Sequence, residues 1–205
     1  MQNAFDVTFP PNTAVNANLL STGGGVDITI PEGAVQGHVN NLLLMFDITN
    51  STGAACTLSP APMLFRDIQV IANRGQQIQL IPGEHLFTDL SYLSTENLTA
   101  MAADLNTTAT LGAGTAITNN GVITYTVPFQ SCCIFQAHIN LGGVQGSLIF
   151  RLTFKASSDT VESGAAPTIS NIRLYVLGDA MSKGVQAKKV NKYMSNTFDF
   201  QLHKD

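Results

Sequence analysis

The chain has 205 residues and a mass of 21.8 kDa, enough for one sizeable domain with its own core or for two small ones. Hydrophobic residues make up 44 % and charged residues only 12 %, about half the usual charged share of a soluble domain, with a net charge of −4 and a mean hydropathy of +0.15. These values exclude a disordered chain, which needs high charge and low hydrophobicity, and no apolar run nears the roughly 18 residues of a membrane span.

The pattern along the chain is mostly period two. Val26, Ile28 and Ile30 alternate with Asp27 and Thr29 before Pro31, which predicts a half-buried strand with a stop. The nearly continuous apolar run from Asn41 to Thr49 predicts a strand covered on both faces. The stretch from Leu64 to Gly83 predicts a hairpin: Ile68, Val70 and Ala72 share one face, Ile78 and Leu80 share the returning face, and Asn73-Arg74-Gly75 is the turn.

The period then becomes helical at Leu86, Phe87, Leu90 and Leu93, and again at Leu98, Met101, Ala102 and Leu105. Asn106 to Gly121 is small, polar and weakly patterned, which predicts an exposed loop. Strands resume over 122–129 and continue through Cys132-Cys133 to the Gly142-Gly143 break. The clearest strand places Leu148, Phe150, Leu152, Phe154 and Ala156 on one face; the last places Ile172, Leu174 and Val176 inward. About eight strands with one helical insertion give an all-β class, an antiparallel eight-stranded jelly-roll sandwich rather than a parallel α/β fold.

The expected division is an N-terminal arm over 1–25, a barrel over 26–182 and a basic C-terminal arm over 183–205. Lys183, Lys188, Lys189, Lys192 and Lys204 are half of the ten basic residues. The body to residue 182 has five basic and twelve acidic residues, net −7, and the tail is +3. Lys183, Lys188, Lys189 and Lys192 are the candidate contacts to an acidic neighbour or to anionic lipid headgroups. Low charge elsewhere suits a surface covered by neighbours, since charge is what keeps free surfaces apart.

Chemistry-bearing patterns are sparse. His38, His85, His138 and His203 are scattered, with no second ligand at a metal spacing and no compact Asp cluster for calcium, so neither a metal nor a cofactor is expected. Glu84-His85 is an acid beside an imidazole, but a helix start accounts for Glu84. Cys56, Cys132 and Cys133 are an odd set with two adjacent residues, read as buried small hydrophobes. Phosphate-loop, dinucleotide and nucleophile-elbow patterns are missing, so the chain is not expected to be an enzyme. An acidic body without Trp argues against direct nucleic-acid binding. The opening MQNAFDVTFPPN has no basic region followed by an apolar stretch, so no secretory signal is expected in this chain. Asn50, Asn97 and Asn106 head glycosylation-type triplets, which carry little weight in a sequence rich in Asn and Thr.

Pro31-Glu32-Gly33-Ala34-Val35, the apolar strand after it, Pro60 and Pro62, Leu64-Phe65-Arg66-Asp67-Ile68, a tight turn, Gly83-Glu84 leading into a helix, and the closing run from Pro167 together form an ordered pattern. Over about residues 26 to 180 it resembles the major capsid proteins of tailless icosahedral viruses with an internal membrane, the vertical jelly-roll lineage. The resemblance implies a non-enzymatic virion protein whose barrels pack flank to flank, with copies of itself and other capsid proteins, into pseudo-hexameric capsomers. It also implies loops toward solvent and termini toward a membrane. One barrel departs from the lineage's fused two-barrel form, leaving a single-barrel protein or the first half of a longer one. The alternative is a receptor- or carbohydrate-binding β-sandwich such as a virion spike, which needs exposed aromatic residues at its loop tips.

Overall fold

A computed structural model describes residues 4–35, 37–72, 75–91, 114–129 and 146–180. Its elements are β1 (Ala4–Phe9), α1 (Leu19–Thr22), β2 (Gly24–Ile30), β3 (Gly37–Thr49), β4 (Cys56–Leu58), a 3-10 turn (Ala61–Leu64), β5 (Phe65–Ala72) and β6 (Gln76–Pro82). There follow α2 (Gly83–Ser91), β7 (Ala116–Ile117), β8 (Val122–Pro128), β9 (Leu148–Phe154), α3 (Ser157–Thr160), β10 (Val161–Ser163) and β11 (Thr168–Ala180).

Eight of the described strands form two four-stranded sheets, and every described pairing is antiparallel. Sheet one runs β1-β11-β3-β8 and sheet two runs β2-β9-β5-β6. Numbered one to eight along the chain, the long strands fall in the orders 1-8-3-6 and 2-7-4-5. Two interleaved Greek keys of this kind make a jelly roll, as the strand count predicts. Inward positions alternate as the pleat requires: Leu42, Leu44, Phe46 and Ile48 from β3 meet Phe150, Leu152 and Phe154 from β9. Phe46 is the hinge of this packing, edge-on to Tyr125 at 5.4 Å, Phe65 at 5.8 Å and Phe154 at 6.4 Å.

Register separates the two ends of the barrel. Thr49 pairs with both Val122 and Thr168, and Phe154 with both Gly24 and Phe65, so the connections β1–β2, β3–β5, β6–β8 and β9–β11 gather at one end. That loop end carries the three described helices and a small third sheet, β10-β4-β7. Ala4 pairs with Asp179, and Gly37 with Ala180, so the described chain begins and ends at the opposite end.

Asn50 fastens the loop end. Fully buried, it donates from Nδ2 to the carbonyls of Ile117 (2.8 Å) and Ala54 (2.9 Å), while its Oδ1 accepts from the Thr52 hydroxyl (2.7 Å) and amide (3.1 Å). Its triplet is therefore a turn device with its amide used up, and not an open acceptor for a glycan. Gly83 starts α2 against the Phe65 and Pro62 carbonyls, where any Cβ would collide with backbone.

Several expectations need correction. β3 buries only one face within the described chain; Leu43 and Met45 point outward, half-exposed. In the hairpin, Ile78 packs against the core but Leu80 faces out, 49 % exposed, and Ile81 is buried in its place. The register passes from Val70 with Gln79 to Ile71 with Gln77, so a bulge at Ile78 reverses the alternation. The expected loop 106–121 holds β7, whose Ile117 is buried. The stretch 1–25, expected as an arm, contains β1 at the edge of sheet one. Gly75 has the positive φ, 91°, that its turn requires. The helical spacing is realised as α2 with Leu86 buried; Leu93 to Leu105 and Cys132-Cys133 lie outside the described residues.

Two substitutions test this packing with opposite signs. Asn50→Ala strands several buried carbonyls and lowers stability by about 3 kcal/mol. Among the described residues the buried Tyr125 hydroxyl has no hydrogen-bond partner, so Tyr125→Phe raises stability by about 1 kcal/mol. Chemical denaturation of both variants beside the parent checks the pair.

Candidate assembly surface

The outer faces of the two sheets differ in chemistry. On sheet two, Arg151 of β9 donates from Nε and Nη2 to the two carboxylate oxygens of Asp27 on β2, both at 2.9 Å. Asp67 on β5 accepts from Arg66 Nε (2.9 Å), Gln69 Nε2 (3.1 Å) and the Thr153 hydroxyl (3.1 Å). Burial pushes the Asp67 carboxyl up, but these donors outweigh it and hold it below its ordinary value. Lys155 reaches Glu84 at 3.3 Å. This face is charged and internally satisfied.

On sheet one the outward row is apolar at its centre. Tyr175 and Leu43 sit directly opposite each other, with Met45 opposite Arg173 and Leu177 two residues along; Leu43, Met45, Tyr175 and Leu177 are all half-exposed. Polar partners rim the stripe. Asp47 accepts from the Thr124 hydroxyl and Asn171 Nδ2, both at 2.7 Å, and the Tyr175 hydroxyl donates to Asp6, which raises the phenol. Asn171 has φ 50° inside a register shift, so Ile169 and Ile172 both point inward although three residues apart.

The third surface is the side on which β6 and β8 end the two sheets among the described strands. Neither strand holds a charged residue. Leu80 on β6 and Val122 on β8, 49 % and 62 % exposed, are the large hydrophobics most open to solvent among the described residues. The opposite side, where β1 lies against β2, carries Asp6 and Asp27.

Lys183, Lys188, Lys189 and Lys192 lie outside the described residues, and the structure brings none of them to a site. His138 and His203 also lie outside; His85 is exposed in the first turn of α2, after Glu84. Burial raises the Cys56 thiol, as for a small core hydrophobe. Among the described residues no group of three His, Cys, Asp or Glu could hold a metal ion, and no helix is long and apolar enough to cross a membrane. Sequence reasoning missed the sheet-one stripe and the open side. The signals were present: outward Leu43 and Met45 in one run, and three glutamines but no charge from 76 to 82.

No family model and no curated protein matches the sequence. Solved structures do. The PBCV-1 virus capsid, in a quasi-atomic model, matches at TM-score 0.61 and 15 % identity over 93 % of this chain and 45 % of its own. PBCV-1 VP54, in a crystal structure fitted into a cryo-EM reconstruction of the virophage Sputnik, matches at TM-score 0.61 and 14 % identity over the same shares. The STIV MCP matches at TM-score 0.48 and 17 % identity, over 89 % and 50 %. The PBCV-1 matches bear out the jelly-roll fold implied by the resemblance. This chain spans about half the length of these neighbours.

The Asp67 network gives a pH test. A carboxyl held below its ordinary value contributes stability that is present above the unfolded value, near pH 4, and is lost as pH falls through the folded one. Asp67→Asn removes that contribution. Thermal melts from pH 7 to pH 2 check it: the variant melts lower at pH 7, by a few degrees for about 1 kcal/mol, and the two curves converge in acid.

Proposed function

We propose that this chain is a structural subunit of a viral capsid shell, located in the virion and without catalytic activity, whose barrels pack side by side into capsomers above an internal membrane. The observation that carries the reading is the jelly roll shared with the PBCV-1 capsid. The half-exposed stripe of sheet one supports it. An antiparallel sheet that faces water on one side presents polar residues there, whereas Leu43, Met45, Tyr175 and Leu177 suit a face covered by another subunit.

In this reading β1 belongs to the barrel and 183–205 is a basic arm. The barrel begins and ends at the end away from the loops, so an arm continuing from β11 starts on the side opposite the loop end. Its lysines attract anionic headgroups at about 1 kcal/mol each near the surface. The partners are further copies of the chain and other capsid proteins; direct nucleic-acid contact has no place in it.

A receptor- or carbohydrate-binding module fits less well. Apart from Phe87 in α2, the described connections at the loop end contain no aromatic residue to stack on a sugar. Tyr125 is buried, and Tyr175 lies on the face of sheet one.

Electron microscopy with vesicle flotation tests the reading. The intact chain forms hexagonal capsomers or shells and floats with anionic vesicles; removal of 183–205 leaves the barrel folded and abolishes flotation. A truncated chain that floats and assembles as well as the intact one contradicts the role of the arm.

A further inference from the structure

We propose that residues 196–202 are a second strand of the β1 type, and that their docking site is the β1 edge of β11 on another copy of this chain. The inference rests on the capsid-subunit reading for the meeting of copies and names the segment that ties one copy to the next.

The dipeptide Phe-Asp occurs three times in the sequence, at 5–6, 46–47 and 198–199. Each time an apolar and then a polar residue follow: Val7-Thr8, Ile48-Thr49 and Phe200-Gln201. The third lies outside the described residues, but the first two lie in strands paired antiparallel to β11, β1 on one edge and β3 on the other. β11 suits this pattern on both sides. Its outward side chains are donors: the Tyr175 hydroxyl reaches Asp6, and Asn171 Nδ2 reaches Asp47 with Arg173 4.0 Å away. Val7 and Ile48, the residues after each aspartate, pack inward against the core. The likeness to β1 runs further. Asn3-Ala4-Phe5-Asp6-Val7-Thr8-Phe9 and Asn196-Thr197-Phe198-Asp199-Phe200-Gln201-Leu202 share three residues and carry apolar residues at the same alternate positions.

Direction and reach fit the next copy. Ala4 pairs with Asp179, so a strand in the β1 place enters at the end of the barrel where β11 finishes. Fifteen residues, 181–195, join that end to the segment; they span about 20 Å as a coil and about 50 Å fully extended. Barrels with four-stranded sheets packed flank to flank stand about 25–30 Å apart. With every loop end on the same side, each arm therefore leaves at the level of its neighbour's docking site.

The segment takes the place of β1. Added beside β1 instead, it would set Asp199 on the outer face that already holds Asp6, where like charges repel and no β11 donor is within reach. In the β1 place Asp199 meets the Tyr175 hydroxyl, and the pairs that β1 gives up are remade, which is why exchange of like strands between copies costs little. Phe200 also adds apolar surface where Val7 is only half-buried. In the single chain β1 holds the site, so the exchange belongs to assembly.

Disulfide trapping in the full chain tests the exchange. Thr197 is the counterpart of Ala4, the residue opposite Asp179, and opposed residues of an antiparallel pair are within disulfide span. Asp179→Cys and Thr197→Cys variants, one of them tagged, are mixed, assembled and oxidised. A linked dimer of the two variants is expected, well above the level that either gives alone with its native cysteines. Adding Phe200→Asp to the Thr197→Cys chain lowers the yield at least about tenfold and leaves the melting temperature of the unassembled chain unchanged; adding Phe200→Val, which copies Val7, keeps the yield. Hexagonal capsomers that form without the link overturn the inference and leave the capsid reading intact. A double variant Asp179→Cys/Thr197→Cys that closes only within single chains overturns the assignment to another copy. A parent chain that remains a monomer at every concentration overturns both readings.

Discussion

The contact between the inward faces of two four-stranded sheets is the constraint on which everything else rests, and Phe46 stands at its centre. Its ring meets Tyr125 from its own sheet and Phe65 and Phe154 from the other. Burying such aromatic side chains contributes much of the core energy of a sandwich. Because each strand alternates, fixing the inward set also fixes the outward set. The stripe of Leu43 and Met45 is thus the unavoidable reverse of Leu42, Leu44 and Phe46: a strand this apolar cannot fill the core without also presenting apolar side chains outside.

Much of the fold was legible in the sequence because period two and a buried face leave a direct imprint. β2, β9 and the inward residues of β11 could be read residue by residue. The misreadings trace to local breaks in that period. A bulge at Ile78 turned Leu80 outward, and the left-handed Asn171 let Ile169 and Ile172 share a face. β1 was hidden by its brevity, although AFDVTF alternates cleanly. The role of Asn50 was not legible, because its partners Ile117 and Thr118 come from a connection more than sixty residues away.

The candidate surface was less legible than the fold. Composition showed only that charge was scarce; it took the strand order to show that the scarcity is concentrated on one side. β6 and β8 are far apart in sequence and become the two edges of one side only through the jelly-roll crossing. The described ion pairs lie on the outer faces of both sheets, Asp27–Arg151 and Asp67–Arg66 on sheet two and Asp47–Arg173 on sheet one, while β6 and β8 carry no charge.

A cryo-EM map of assembled intact chain tests the account most directly. It is expected to show barrels side by side with the face that carries Leu43, Met45, Tyr175 and Leu177 covered by another subunit and every loop end on the same side. Barrels whose sheet-one face is open to solvent would contradict it.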